Sequence, residues 1–364
     1  MRAVELTPEH PVSTLAEFGA TAEDAGFDAA FVSHHYNNRD QFAALTAIAG
    51  ATEDVLVGPG VANPYETHPV TLASRMATLD EYSGGRGVFG IGPGDPSTLA
   101  NLGIDPDRPL RRVLETFKVA ERLWAGERVD HDGTFEATDA GLNYDAGEIP
   151  VYVGAQGPHM TRMAAKHADG VLFNGAHPRD YEWASERVAE GLAERPDDRG
   201  DFDFAAYASV SVAEDGAAAR EAARFPVAFV AAGAPDPVLD RHGIDRERAA
   251  AVGESVSAGE FREAAERVTD AMLDAFCIAG TPEDVEREVE AVLERADSFV
   301  AAAPLGPDVE RAIELLGDVV PACGLPAAAS SRSRTARRRR QARGSPSPRS
   351  GRGRTAHRAP AGRR

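Results

Sequence analysis

The sequence contains very little cysteine and lysine and no long hydrophobic run. Two cysteines in 364 residues are too few for a disulfide framework or a structural zinc site. The stretch FPVAFVAAGA at residues 225–234 is the longest weakly polar one, and it is too short to span a bilayer. Glu5 lies where a signal peptide would need its apolar core, so a secretion signal is not indicated. These absences favour a soluble intracellular protein.

Positive charge is also scarce, because Lys118 and Lys166 are the only lysines and acidic residues outnumber basic ones by 58 to 39. Thirteen arginines lie in residues 327–364, which contain no acid, so residues 1–326 carry 26 basic and 58 acidic residues, a formal charge of −32. Such a body repels nucleic acids and anionic membranes, and its self-repulsion opposes folding in dilute salt. At about 1 M salt the Debye length falls to roughly 3 Å, which screens that repulsion. The composition therefore indicates the cytoplasm of a halophilic archaeon.

Residues 327–364 differ from the rest of the chain, since they consist mainly of Arg, Ser, Pro, Gly and Ala and contain no large apolar side chain. Such a segment cannot bury enough surface to order itself, so we predict a disordered tail after a barrel domain at 1–326. Its arginines are typical of a nucleic-acid-binding arm. We favour the simpler interpretation, an extension without function, such as a shifted reading frame of a GC-rich gene.

Amphipathic helices and short apolar strands alternate along residues 1–326. Glycine or aspartate repeatedly ends a helix just before a β-branched or aromatic run, as in AEDAGFDAAFV at 22–32 and AKHADGVLFN at 165–174. Strands that are apolar on both faces and alternate with helices are typical of a parallel sheet. Because every unit has the same order, we predict a (β/α)8 TIM barrel with strands near 3–6, 29–33, 54–61, 86–91, 150–154, 170–174, 203–213 and 298–304.

Two intervals are too long for simple connections. Residues 127–148 indicate a small hairpin and residues 215–280 indicate extra helices, and we expect both insertions at the barrel mouth. The stretch TPED at 281–284 predicts a helix start, with Thr281 as the cap and Asp284 bonding back to it.

Reactive groups of such barrels gather at the carboxyl ends of the strands. Glu5 lies within the short first strand, between Val4 and Leu6, where both faces should be covered. Burying an unpaired carboxylate is costly, so Glu5 is protonated, paired or functional. A structural salt bridge at the mouthward end of the strand is the alternative to a catalytic role.

The stretch FGIGPGD at 89–95 places three glycines and an acid after an apolar run. It does not fit a dinucleotide fingerprint, because Pro93 interrupts where a helix should begin, and no phosphate-loop lysine follows. We interpret it as a strand end whose glycines let the backbone approach a flat ligand and aim Asp95 into the mouth. A glycine-rich turn with Asp95 as a helix cap fits the spacing equally well.

Two further strand ends carry candidate ligand-binding residues. In SHHYNN (33–38), His34 and His35 face opposite ways, so at most one enters the barrel, and the histidine spacing does not indicate a metal site. In GAQGP (154–158), Gln156 is suited to a ring carbonyl or amide, and the helix that follows offers N–H groups to an anion such as a phosphodiester. A hydrogen-bonded loop histidine and a merely exposed glutamine are the structural alternatives.

Four stretches of the sequence, taken together, resemble one enzyme family. They are SHHYNNRD, GPGVANPYETHPVTLASRMATLDEYSGGRGVFGIGPGD, VYVGAQGP and ADGVLFNGAHPRD. The chain closely resembles the methylenetetrahydromethanopterin reductases, which belong to the luciferase-like superfamily of (β/α)8 barrels that use flavin or the deazaflavin coenzyme F420. The resemblance runs from about residue 1 to 325 and stops at the basic tail. It implies hydride transfer from reduced F420 to a 5,10-methylenetetrahydropterin, giving the 5-methyl compound.

The resemblance also implies roles for individual residues. Glu5 is expected to be the principal acid or electrostatic group, with Asp95 and Gln156 lining the pterin side. A non-prolyl cis peptide is expected at Gly60–Val61, against the deazaflavin. His34 stands where the family usually has Asp. The coenzyme-binding residues that the resemblance implies are His34, His35, Gly60, Val61, Asn63, Gly154, Ala155, Gly175 and Ala176, and from the histidine spacing we expect no metal.

Other functions remain open from the sequence. One is another enzyme of the superfamily, an FMN monooxygenase or an F420-dependent dehydrogenase, against which Glu5, Asp95 and GAQGP argue together. Another is a non-catalytic barrel or a nucleic-acid binder that uses the tail, which the charge of −32 opposes. The pterin is methanopterin or, because halophiles commonly use folates, tetrahydrofolate. Family habit favours a homo-oligomer.

Overall fold

In a computed structural model, strands that are apolar on both faces form a parallel barrel at the centre of the protein. The structure describes residues 1–323, apart from the side chain of Ser97, and the predicted tail at 327–364 lies outside the described residues. The strands are β1 (Arg2–Leu6), β2 (Ala29–Val32), β3 (Leu56–Pro59), β4 (Phe89–Ile91), β5 (Val129–Asp132), β6 (Glu136–Ala140), β7 (Val151–Ala155), β8 (Gly170–Asn174), β9 (Asp203–Val212), β10 (Ile278–Gly280) and β11 (Ser298–Leu305).

Helices follow the strands and cover the outside of the barrel. The helix that begins at Pro282 has the predicted capping box, in which Thr281 and Asp284 bond to each other's backbone N–H. The helices are α1 (Val12–Asp24), α2 (Gln41–Ala51), α3 (Pro69–Ser83), α4 (Pro96–Asn101), α5 (Pro109–Trp124), α6 (Pro158–His167), α7 (Pro178–Leu192), α8 (Gly216–Gly233), α9 (Asp236–His242), α10 (Arg246–Ser257), α11 (Phe261–Arg267), α12 (Asp270–Phe276), α13 (Pro282–Leu293) and α14 (Val309–Val319).

The order of the strands confirms the predicted TIM barrel. Eight strands pair in parallel in the order β3, β2, β1, β11, β9, β8, β7 and β4. The first and last of these are joined by the parallel bridges Val57–Gly87 and Ala62–Ile91, which close the ring. The carboxyl ends of all eight strands therefore surround one mouth.

Both predicted insertions are present, and one strand was missed. The strands β5 and β6 pair antiparallel and form the hairpin predicted at 127–148. The helices α8 to α12 occupy the interval 215–280, as predicted, but β10 lies at its end and pairs with the carboxyl end of β9. A three-residue strand has no periodicity of its own, so no pattern separates it from the neighbouring helices.

The inside of the barrel has its own apolar cluster, separate from the layer between the sheet and the helices. Positions two residues apart on a strand share a face, so the members of this inner cluster identify the inward register. The inner cluster comprises Met1, Ala3, Ala29, Phe31, Leu56, Val88, Tyr152, Leu172, Ala205 and Val300.

The insertion α8 to α12 also has a hydrophobic cluster of its own, which contains Leu239, Val252 and Met272. An ion pair attaches it to α7, where the buried Asp180 accepts hydrogen bonds from Arg241 (2.6 Å) and His242 (3.0 Å). Although burial raises the pKa of Asp180, these two partners hold it below its ordinary value.

Two of the glycines of FGIGPGD, Gly90 and Gly92, make room for β3 and the residues just beyond it, whereas an approach of a ligand to this stretch stays a prediction. A Cβ atom at Gly90 would lie 1.9 Å from the carbonyl oxygen of Pro59, and one at Gly92 would lie 2.6 Å from Cγ2 of Val61. Bare backbone is therefore required where β3 and β4 meet and the barrel closes.

We expect Gly90→Ala to lower the free energy of unfolding by about 1–3 kcal/mol or more, because the added methyl group must push β3 away from β4. The control is Gly233→Ala at the end of α8, where an added Cβ would have no described heavy atom within 4 Å outside its own helix. Chemical denaturation in molar KCl measures both variants. Equal stability of the two would show that β3 relaxes freely.

Candidate active site

Glu5 lies inside the barrel mouth, as the sequence predicts. It shares the inward face of β1 with Ala3, and 3 % of its surface is exposed. The Ala303 N–H donates a hydrogen bond to one carboxylate oxygen (3.0 Å), and the Thr7 hydroxyl donates to the other (3.1 Å). No ion pair to Glu5 is present among residues 1–323, so the structure does not support a structural salt bridge.

Burial raises the pKa of Glu5 above its ordinary value. The N–H of Ala303, the hydroxyl of Thr7 and the imidazole of His35 lower this pKa, but the loss of hydration outweighs them. The Ser33 hydroxyl is buried and close enough to lower the pKa as well, although its geometry falls short of a hydrogen bond. Glu5 therefore keeps its proton to a higher pH than an exposed glutamate does, as a general acid requires.

A tyrosine that the sequence analysis did not single out lies close to Glu5. Tyr207 shares the inward face of β9 with Ala205, and its phenol donates a hydrogen bond to the carbonyl oxygen of Gly60 (3.0 Å). Burial and the negative charge of Glu5 raise the pKa of Tyr207 well above its ordinary value. Its inward position could have been predicted from DFAAYASV, because Tyr207 is an even number of residues from Asp203 and Ala205 and therefore shares their face of the strand.

The backbone beyond β3 forms the opposite side of the mouth. The predicted cis peptide is present between Gly60 and Val61. Two parallel bridges, Val57–Gly87 and Ala62–Ile91, join this segment to the chain around β4. Between them the chain advances five residues on the β3 side and four on the β4 side, so the β3 side has the extra residue of a β-bulge. The Val61 side chain fills the space left by two glycines, since a Cβ at Gly154 would lie 3.1 Å from its Cγ1.

The two histidines after β2 are both half-buried and have different neighbours, and which of them enters the barrel stays a prediction. His35 acts electrostatically on Glu5, whereas His34 Nε2 lies 3.0 Å from a carboxylate oxygen of Glu66. Asn63 donates to the other oxygen of Glu66 (2.6 Å) and accepts from the backbone N–H groups of Tyr65 and Glu66. Sequence reasoning missed Glu66, which joins two predicted coenzyme-binding residues into one hydrogen-bonded loop.

Asp95 is exposed at the mouth rim and caps α4, where it accepts a hydrogen bond from the Thr98 N–H (2.8 Å). The capping interpretation is therefore confirmed for this side chain, and a contact with the pterin stays a prediction. Gln156 is also exposed, just beyond β7. Since β4 and β7 are paired neighbours, Asp95 and Gln156 share one sector of the rim.

The remaining predicted coenzyme-binding residues are glycines and alanines, so a ligand would meet mainly their backbone groups. Ala155 and Ala176 are 6 % and 5 % exposed, at the ends of β7 and β8. Gly175 donates its N–H to the backbone oxygen of Tyr207 (3.3 Å). The helix α6 begins after Gly157 without a side-chain cap, so its first N–H groups face outward without a side-chain acceptor.

Comparison with known proteins identifies the family. The profile of the luciferase-like monooxygenases matches residues 2–300. The 5,10-methylenetetrahydromethanopterin reductases of Archaeoglobus fulgidus and Methanolobus tindarius are 42 % and 40 % identical, over 87 % and 86 % of this chain and 98 % and 97 % of the relatives. The structure of the coenzyme F420-dependent tetrahydromethanopterin reductase of Methanopyrus kandleri matches with a TM-score of 0.82 at 37 % identity, covering 87 % of this chain and 97 % of that one. This chain belongs to the methylenetetrahydromethanopterin reductase family.

At the mouth of this methylenetetrahydromethanopterin reductase homologue, above the large residues of the inner cluster, the inward positions include the small or polar residues Ser33, Asn174 and Ala302. The Ser33 hydroxyl is buried without a hydrogen-bond partner among the described residues, so a bound group has a polar atom to meet.

Residues 1–323 of this methylenetetrahydromethanopterin reductase homologue contain neither a cluster of metal ligands nor a helix that could cross a membrane. No three His, Cys, Asp or Glu side chains come together as ligands for a metal ion. None of its helices combines the length and the apolar character that crossing a bilayer requires.

We expect Glu5→Gln to stabilise the protein at about pH 8 but not at about pH 4. Because burial raises the pKa of Glu5, the native state holds this proton at pH values where the unfolded chain has lost it. The contribution of Glu5 to the free energy of unfolding is therefore fully present below its unfolded pKa and is lost as pH rises through its folded pKa. Denaturation at both pH values measures the difference.

The control for this prediction is Glu17→Gln, which removes the same charge from the exposed face of α1. It should leave the pH dependence of stability close to that of the parent. If Glu5→Gln behaved like the control, the carboxyl group would not be protected from water in the folded protein.

Proposed function

We propose that this chain reduces a 5,10-methylenetetrahydropterin to the 5-methyl compound with a hydride from reduced coenzyme F420. The observation that carries the proposal is the buried acid Glu5 at the mouth, whose pKa is raised by burial. The curated relatives are named for this reductase activity, and this chain spans 97–98 % of their length.

The reaction requires one hydride at the methylene carbon and one proton at the nitrogen that leaves it. Opening of the methylene bridge produces an iminium cation on the pterin, which accepts the hydride. Protonated Glu5 donates its proton to the departing nitrogen, and the carboxylate that remains stabilises the nearby positive charge. Ala303 and Thr7 hold this carboxyl group in place through hydrogen bonds, and no lysine or arginine of residues 1–323 forms an ion pair with it that would lower its pKa further.

Coenzyme F420 supplies the hydride when it is bound. Val61, held over Gly92 and Gly154, offers an apolar surface to the deazaflavin ring. The uncapped start of α6 offers N–H groups to the phosphodiester of the coenzyme. Along the ends of β7 and β8, Ala155, Gly175 and Ala176 would hold its ribityl arm through their backbone, and the loops that contain His34, His35 and Asn63 close the other side.

The pterin would enter from solvent on the rim sector formed by β4 and β7. Asp95 and Gln156 are exposed there, and both have polar atoms suited to the amide and amino groups of a pterin ring. The bond from the Thr98 N–H fixes the direction of the Asp95 carboxylate, so a contact with substrate and a capping role are compatible.

The charge of residues 1–326 supports a cytoplasmic enzyme of a halophilic archaeon, acting as a homo-oligomer. A formal charge of −32 requires concentrated salt to bring copies together. The pterin carrier is methanopterin or folate, and the exposed rim around Asp95 and Gln156 is where the two would be distinguished.

The proposal is tested by mixing the protein with reduced F420 and either methylenetetrahydromethanopterin or methylenetetrahydrofolate in anaerobic molar KCl. We expect oxidation of F420 with at least one carrier. Glu5→Gln should lower kcat by about 10²–10⁴-fold while coenzyme binding stays near that of the parent, because it removes a proton donor and preserves the shape.

The matched control is Asp203→Asn, which alters a second buried carboxyl group of the barrel. This group accepts hydrogen bonds from Tyr152 and Ser298 and does not lie at the mouth. It should retain kcat within a few-fold if folded. Transfer of hydride to neither carrier would contradict the proposed function, and oxygen uptake with reduced FMN would favour the monooxygenase alternative. Full activity of Glu5→Gln would contradict the acid role alone.

A further inference from the structure

We propose that Tyr207 is a positioning residue that joins the two backbone segments flanking the coenzyme, at the ends of β3 and β8. The inference rests on the proposed function and adds a residue that neither the motifs nor the family resemblance assigns. Tyr207 makes contacts on both sides of the mouth. Each of the predicted coenzyme-binding residues, in contrast, lies at the end of a single strand.

The side chain of Tyr207 reaches across the inside of the barrel. It begins on β9 and ends at the carbonyl oxygen of Gly60, 3.0 Å from the phenol oxygen, just beyond β3. The strands β9 and β3 are separated in the sheet by β11, β1 and β2, so this bond crosses the barrel and does not follow the sheet. It ties the predicted ring-binding segment to the opposite wall.

The backbone of the same residue holds the other segment. Its carbonyl oxygen accepts the N–H of Gly175 (3.3 Å), immediately after the last residue of β8 that pairs with β9. Gly175 and Ala176 are among the residues predicted to hold the arm of the coenzyme. One residue therefore fixes both the surface under the ring and the start of the surface under the arm.

The phenol is suited to donate and not to accept. Burial and the charge of Glu5 raise its pKa, so it keeps its proton, and a carbonyl oxygen is the partner that such a donor satisfies. The space around the bond is also narrow, since a Cβ at Gly60 would lie 2.9 Å from Cβ of Phe31 and 3.2 Å from the phenol oxygen. The Gly60 backbone thus has little freedom to move while Tyr207 is in place.

Tyr152 provides a matched comparison within the same barrel. It is also an inward tyrosine of the inner cluster with a pKa raised well above its ordinary value, and its phenol donates to Asp203 (2.8 Å). Its partner Asp203 is the first residue of β9, and the same carboxyl group accepts a hydrogen bond from Ser298, the first residue of β11. This bond therefore lies at the amino end of the barrel, away from the mouth. A purely structural role would make the two tyrosines equivalent.

The experiment compares Tyr207→Phe with Tyr152→Phe in molar KCl, by thermal unfolding, by calorimetric titration with F420 and by steady-state kinetics. We expect similar falls in Tm for the two. Tyr207→Phe should raise the Kd and the KM for F420 tenfold or more with a smaller change in kcat, whereas Tyr152→Phe should keep both constants within about twofold of the parent. Equal coenzyme affinity in the two variants would overturn the role of Tyr207.

A second pair of variants separates the lost donor from damage to the fold. Incorporation of p-aminophenylalanine at position 207 keeps an N–H donor at the same place and should restore the affinity for F420. Incorporation of p-fluorophenylalanine keeps the size without the donor and should repeat the loss, and equal affinity in this pair would overturn the proposal even if Tyr207→Phe failed to fold. Failure of the parent itself to bind F420 would instead contradict the proposed function.

Discussion

The site depends on one carboxyl group that is kept from water and forms no ion pair within residues 1–323. Glu5 lies on a five-residue strand between two neighbours in the ring, so its side chain has no route to solvent except through the mouth. An N–H group and a hydroxyl satisfy its oxygens, and neither compensates fully for the lost hydration. The barrel thus holds an acid ready to donate its proton, at a cost in stability that the large surrounding core offsets.

A second constraint, the close approach of β3 and β4, shapes the surface opposite this acid. Glycines on β4 and β7 leave space that the Gly60–Val61 segment enters, so backbone and one valine occupy what larger side chains would fill. Tyr207 then links this segment to β9, within the electrostatic reach of Glu5. The carboxyl group of Glu5, the bulged backbone at Gly60–Val61 and the phenol of Tyr207 form one connected arrangement, because each lies inside the barrel near its mouth.

Periodicity and the order of the elements were enough to predict the barrel, both insertions and the inward position of Glu5. The edges of the strands were less predictable: β3 ends at Pro59 and not at Val61, because the bulge interrupts its pairing. The packing of Gly90 and Gly92 against Pro59 and Val61 was not predicted, since a sequence does not show which neighbour approaches a bare backbone. The partner of Tyr207, the role of Glu66 and the bond from Asp180 to Arg241 were missed because each contact joins residues far apart in the chain. The spacing of residues within one strand or helix does not predict such contacts.

The separate hydrophobic cluster of α8 to α12 has a consequence for how such proteins diversify. Because these helices bury residues such as Leu239 and Met272 against one another, substitutions on their surface need not disturb the inner cluster of the barrel. The covering near the mouth is thus free to change in evolution while the strands that hold the acid stay the same.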